Sequence, residues 1–141
     1  MNEIMRDGMI KRLDHVGIVV DDLTDAKTFL SNVLGLHLVR EVEVPALARR
    51  VAFFKCGESE LEVIEDLNLE SKAKALHGGS ARIEHIALEV DGVSSVSAAL
   101  AGLGVKIDDH GILLVGSRLN AWTDPSTTDG IVFQLLSSVP D

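Results

Sequence analysis

With 141 residues, 46% of them apolar, and a formal net charge of −9, the chain can bury one core of its own; it is acidic and lacks the basic stripe of a nucleic-acid binder. Its longest apolar runs are about half a dozen residues, far short of the roughly 20 that span a bilayer. Residues 1–12 show no apolar leader and the single Cys56 cannot form an internal disulfide, so a cytoplasmic setting without a membrane partner is expected.

The first element, 12–21, reads RLDHVGIVVD, and alternation predicts a strand near 13–20. Ala26, Phe29, Leu30, Val33 and Leu34 then recur at helical spacing until Gly35, a helix stop. Strands follow near 37–43, 50–55 and 60–65, the last two flanking the turn Cys56-Gly57-Glu58-Ser59. Residues 67–81 form a charged, then Gly-rich, connector, helical or irregular.

Residues 82–91, RIEHIALEVD, repeat 12–21 at a gapless shift of 70 residues, with Arg, His, Val and Asp identical at matched places. Val93, Val96, Ala99, Leu100 and Leu103 give a second helix before Gly104. Strands are predicted near 105–108, 117–123 and 131–136, with 124–130 as the last loop. The chain reads as one α+β domain, 1–141, made of two βαβββ units at about 10–66 and 82–138.

His15 and His85 occupy the same place in the two copies. A lone strand histidine is more often a hydrogen-bonded structural residue than a ligand, but matched placement in a duplicated unit argues for a shared role. In the final strand of each copy, Glu62 follows its histidine by 47 residues and Gln134 follows its own by 49. Gln134 interrupts the apolar run IVFQLL, and a buried amide needs a partner. Two imidazoles, a carboxylate and an amide oxygen suit a borderline divalent cation, and a single carboxylate leaves the centre net positive. Arg49, Arg50 and Lys55 read more as a solvated strand face than as contacts for an anionic tail, and Trp122 more as core than as a pocket cover.

The segments LDHVGIVVDDL, a helix ending in LGL, ELEVIED, RIEHIALEV and DPSTTDGIVFQLL resemble methylmalonyl-CoA epimerases and, more broadly, the glyoxalase or vicinal oxygen chelate superfamily, over about 12–137. The resemblance implies the glyoxalase fold, in which two tandem βαβββ modules curl into an open, barrel-like mixed sheet around one metal. It implies His15, Glu62, His85 and Gln134 as ligands of one divalent ion such as Co, Ni, Mn, Zn or Fe. In the epimerases the set is also two His, one Gln and one Glu; here Glu62 and Gln134 stand exchanged between the modules. Those enzymes use a second glutamate after the second strand, where this chain reads Glu41-Val42-Glu43-Val44-Pro45-Ala46. Gapless counting puts Val44 or Pro45 at that place, with Glu43 close by and Glu41 further off.

The implied activity is that of a metal-dependent isomerase, epimerase or lyase. Its substrate would be a small molecule with two neighbouring oxygens, of acyl-CoA or α-hydroxycarbonyl type, and its protein state a homodimer. An enolate or enediolate would form as a carboxylate, Glu62 first and Glu43 second, moves a carbon-bound proton. A metal-free binding protein of the bleomycin-resistance kind is the alternative, although such proteins lack the ligand set. A ring-cleaving dioxygenase comes last, because its two-His-one-carboxylate iron site needs an acid where Gln134 stands.

Overall fold

The structure, a computed structural model, describes residues 5–139. They fall into two compact units: residues 15–84, and residues up to Asp14 together with those from His85 onward. No helix among the described residues is long and apolar enough to cross a membrane.

The unit 15–84 is built on the part of β1 (Ile10–Val20) from His15 onward, with β2 (His37–Val44), β3 (Arg49–Cys56) and β4 (Ser59–Asp66), ordered β2-β3-β4-β1. β1 runs parallel to β4, and β2, β3 and β4 pair antiparallel. Gly57, at φ +62°, makes the tight turn between β3 and β4, as the sequence predicts. The helix α1 (Leu23–Thr28) starts where the Asp22 side chain accepts from the Asp25 N–H. It covers one sheet face around Val20, Leu23, Leu30, Ala52, Phe54 and Val63.

The expected apolar stripe of this helix is only half right. After Thr28 the chain widens into a π-helical turn, Phe29–Val33, with the Leu34 N–H donating to the Phe29 carbonyl. The extra residue rotates the stripe, so Leu30 is buried while Phe29, Val33 and Leu34 are exposed. The connector contains a true helix, α2 (Leu69–Leu76), capped by Asn68 and closed by His77 in the left-handed region.

The other unit repeats the plan with β5 (Ala81–Val90), α3 (Val93–Gly102), β6 (Leu113–Val115), β7 (Arg118–Trp122) and β8 (Val132–Ser138). β5 is parallel to β8, which pairs antiparallel with β7, and β7 with β6. Val90, Val93, Val96, Ala99, Ala121 and Leu135 form its core.

One expected strand is displaced. Residues 105–108 make only the isolated bridge Ile107–Thr123, and the second strand of this copy lies at Leu113–Val115. The Asp108 side chain accepts from the His110 N–H, and its carbonyl accepts from the Gly111 N–H. That local turn ends extended pairing after Asp108.

Candidate metal centre

Alternation along β1 puts His15, Gly17 and Val19 on one face. The register pairs Gly17 with Glu62, Glu62 with Phe53, and Phe53 with Arg40, so all of these share that face. Opposite Glu62 stands a residue without a side chain, which leaves the carboxylate room. His15 Nε2 and Glu62 Oε1 lie 3.4 Å apart, with both side chains nearly buried. Two donors bound to one ion at roughly 2 Å, at a tetrahedral angle, stand about 3.3 Å apart. The spacing therefore fits a shared cation, and it is longer than a charge-assisted hydrogen bond of roughly 2.7–2.9 Å.

The surroundings hold the imidazole. Phe53 meets His15 edge-on, with ring centroids 6.0 Å apart and planes at 88°. The Arg40 guanidinium lies 3.9 Å from the Phe53 ring centroid and donates to both Glu60 carboxylate oxygens, at 3.0 and 3.1 Å.

The other unit shows the same register. Ala87, two residues after His85, stands opposite Gln134, and Gln134 stands opposite Trp122. His85 is 6% exposed, Gln134 9% and Ala87 0%. The Gln134 Nε2 donates to Asn120 Oδ1 at 2.8 Å, and Asn120 Nδ2 donates to the Arg118 carbonyl at 3.1 Å. The first of these bonds fixes which end of the Gln134 amide faces Asn120. Sequence reasoning missed Asn120; the available signal was a polar residue two places before Trp122, hence on the same face.

Several expected residues land elsewhere. β2 turns Arg40, Val42 and Val44 toward the Glu62 row, so Glu41 and Glu43 point to the opposite face. Glu43 therefore lies away from the His15–Glu62 pair. Glu41 accepts from Lys27 Nζ at 2.8 Å and faces Arg50 at 3.5 Å; the Lys27 hydrogen bond, more than the nearby charges, holds its carboxyl below the usual range. Trp122 is half-buried on the Gln134 face rather than in the core, 6.1 Å from the His110 ring. It matches Phe53, which stands opposite Glu62.

Arg49 is not a solvated residue. Its guanidinium bonds Asp66 and Glu84, at 2.8–3.1 Å. Burial works against its charge, but the two carboxylates outweigh burial and raise its pKa. Arg50 and Lys55 are the more exposed pair expected, Arg50 beside Glu41 and Lys55 across from Glu60.

His15, Glu62 and His85 form a group that could hold a metal ion. Residues 12–134 match the model of the Glyoxalase/Bleomycin resistance protein/Dioxygenase superfamily. The uncharacterized protein YqjC of Bacillus subtilis (strain 168) is 33% identical over 135 residues, covering 89% of this chain and 91% of its own. The mitochondrial methylmalonyl-CoA epimerase of Bos taurus is 26% identical over 133 residues, covering 88% of this chain and 73% of its own. The crystal structure of methylmalonyl-CoA epimerase from Mycobacterium tuberculosis superposes with a TM-score of 0.85 at 22% identity, covering 97% of this chain and 94% of that one. That likeness shows the fold: a curled, open mixed sheet of eight strands built from two βαβββ modules.

Proposed function

Because the chain belongs to the Glyoxalase/Bleomycin resistance protein/Dioxygenase superfamily, we propose that it is a metal-dependent epimerase or isomerase acting on a small substrate with two neighbouring oxygens. His15, Glu62, His85 and Gln134 hold one divalent cation in this reading. The observation that carries it is the 3.4 Å spacing of His15 Nε2 and Glu62 Oε1, the separation of two donors on one ion. The repeated register, Gly17 opposite Glu62 and Ala87 opposite Gln134, supports the other two ligands.

Two nitrogens and two oxygens suit Co, Ni, Mn, Zn or Fe better than Ca or Mg. When bound, such an ion supplies Lewis-acid polarisation of the substrate oxygens. The chain's own residues do the rest. Glu62 is the sole carboxylate among the four; as general base it would take the carbon-bound proton, and as its conjugate acid it would return that proton, or one exchanged with water, to the enolate carbon or its neighbour. Gln134 contributes an oxygen without charge, and Asn120 keeps its nitrogen turned away from that duty. Phe53 stands across the ladder from Glu62 and lines that side of the carboxylate. The epimerases among the relatives favour an acyl-CoA substrate such as methylmalonyl-CoA, with α-hydroxycarbonyl compounds second.

The test is metal analysis of the purified chain, followed by deuterium exchange from heavy water into methylmalonyl-CoA and dihydroxyacetone, read by NMR. We expect bound divalent metal, and exchange that stops on chelation and returns with Co(II) or Mn(II). A protein that holds no metal yet binds these molecules without exchange would be a sequestering protein instead.

A further inference from the structure

The acids that immediately precede the two histidines are both held by arginines, and the arginines sit at equivalent places. Arg49 opens β3 and Arg118 opens β7. Glu84 precedes His85, and Asp14 precedes His15. Arg49 donates through Nη1 and Nη2 to the two oxygens of Glu84, at 3.0 and 2.8 Å, and through Nε to Asp66 Oδ1 at 3.1 Å. Arg118 donates to Asp14 Oδ1 through Nη1 at 3.2 Å and Nη2 at 3.4 Å. Arg12 Nη1 joins the same Asp14 oxygen at 3.1 Å and also reaches Glu89 Oε1 at 3.1 Å.

Successive side chains of a strand leave it on opposite faces. Fixing the side chain of residue 84 therefore fixes the roll of the strand at residue 85, and with it the direction of the His85 Cα–Cβ bond. The same holds for Asp14 and His15. Asp14 is 7% exposed and Asp66 4%, so water competes little for these two carboxylates, whereas the Glu84 side chain is 28% exposed and is held by its two bonds to Arg49. At Glu84 the planar fork of Arg49 makes two parallel bonds that resist rotation as a single ammonium does not; at Asp14 the bonds from Arg118 and Arg12 converge on the one oxygen Oδ1. The device recurs with different acids, glutamate in one copy and aspartate in the other. It also recurs with different helpers, Asp66 and Arg12. Such recurrence points to the shared outcome, an oriented acid before a histidine, rather than to one local packing need.

We infer that Arg49 and Arg118 are positioning residues that aim the imidazoles of His85 and His15 for metal binding. The inference rests on the metal-site reading above and adds to it the residues that set ligand direction.

The experiment titrates Co(II) alone into the metal-stripped full-length protein and its variants, reading affinity by calorimetry and site geometry by the visible absorption of Co(II). Arg49→Met is expected to weaken Co(II) binding roughly 10–100-fold, as loss of partners behind metal ligands does, and to alter the absorption band. Arg49→Lys should recover part of the affinity, and Glu84→Gln added to Arg49→Met should cost little more. Arg118→Met should weaken binding less than Arg49→Met, because Arg12 still donates to Asp14 Oδ1 at 3.1 Å, and Arg12→Met added to it should close the gap. The comparison variant is Lys72→Met, which breaks the 3.1 Å Lys72–Glu65 pair in the same unit and should leave Co(II) affinity unchanged. Thermal melting and circular dichroism establish that each variant folds; if Arg49→Met does not, Arg49→Lys and Glu84→Gln carry the test. Folded variants with wild-type affinity and spectrum would overturn the inference and leave the metal site standing. A wild-type protein that binds no Co(II) would remove the metal site and the inference together.

Discussion

The unit 15–84 and its counterpart set an oxygen-bearing side chain at the same register and then treat it in opposite ways. In the first, Glu62 stands opposite a glycine, with a buried imidazole 3.4 Å away and an aromatic ring across the ladder. In the second, Gln134 stands opposite an alanine, with Trp122 across the ladder and its amide nitrogen tied to Asn120 at 2.8 Å. The backbone geometry is duplicated; the chemistry has been divided. One copy keeps a charged group able to accept a proton, and the other keeps a neutral group whose orientation is set by a neighbour. In the proposed site, a symmetric pair of carboxylates would neutralise a divalent cation and blunt its pull on a substrate oxygen.

The largest expected effect breaks the charged half. Glu62→Gln keeps shape and a ligand oxygen but removes the basic group, so deuterium exchange should fall by roughly 10²–10⁴-fold. Exchange of methylmalonyl-CoA followed by NMR at saturating metal checks this, and near-normal exchange would place the base elsewhere. Glu43→Gln sharpens the point: β2 turns Glu43 to the other face, so its exchange rate should match wild type.

The second effect compares the two cores. The unit 15–84 buries Phe54 completely, whereas the other fills its core with Val93, Val96, Ala99 and Ala121. Phe54→Ala should cost about 3–5 kcal/mol through lost burial and the cavity left behind. Val96→Ala removes far less volume and should cost less. Chemical denaturation of both variants, read by circular dichroism, tests the order; equal losses would mean that the Phe54 site collapses around the gap.

The third effect falls on the neutral half. Asn120→Ala frees the Gln134 amide to turn, and metal affinity should drop about 10–100-fold. Base catalysis by Glu62 should survive once metal is saturating. A calorimetric titration separates the two quantities, and an unchanged affinity would show that Gln134 needs no support.

Asn120 also marks where sequence reading stopped. The duplication was legible because 12–21 and 82–91 match without a gap and carry both histidines, while the last strands recur after them at 47 and 49 residues, two residues out of step. Chain spacing predicted that Glu62 and Gln134 recur after their histidines, and the paired registers of β1 with β4 and β5 with β8 give that recurrence its geometry. What a strand's faces see was not legible. Alternation says that Glu41 and Glu43 share a face, but only pairing with β3, across an irregularity between Leu38 and Arg40, decides which face. Trp122 read as core because aromatic residues usually are, whereas its register puts it across from Gln134. The turn at Asp108 escaped notice because a side chain bonding its own backbone leaves no apolar period to detect.

The smallest effect lies on the helix side of the unit 15–84. There α1 carries Lys27, whose ammonium donates to Glu41 at 2.8 Å, while α3 has no charged side chain in the other unit. The Lys27 hydrogen bond holds the Glu41 carboxyl below its ordinary range in the folded protein. A carboxyl held low binds fewer protons folded than unfolded, so the pair contributes its stability above the unfolded pKa. That contribution disappears as pH falls through the folded value. The pair is partly exposed and screened by water, so Glu41→Gln should cost less than about 1 kcal/mol at neutral pH. The difference from wild type should shrink toward zero in acid, and also in concentrated salt. Denaturation midpoints of the two proteins, measured from neutral pH down through the carboxylate range, test the sign. A gap that widened in acid would mean that Glu41 acts through something other than its charge, and the contrast between a charged and an uncharged helix would lose its consequence.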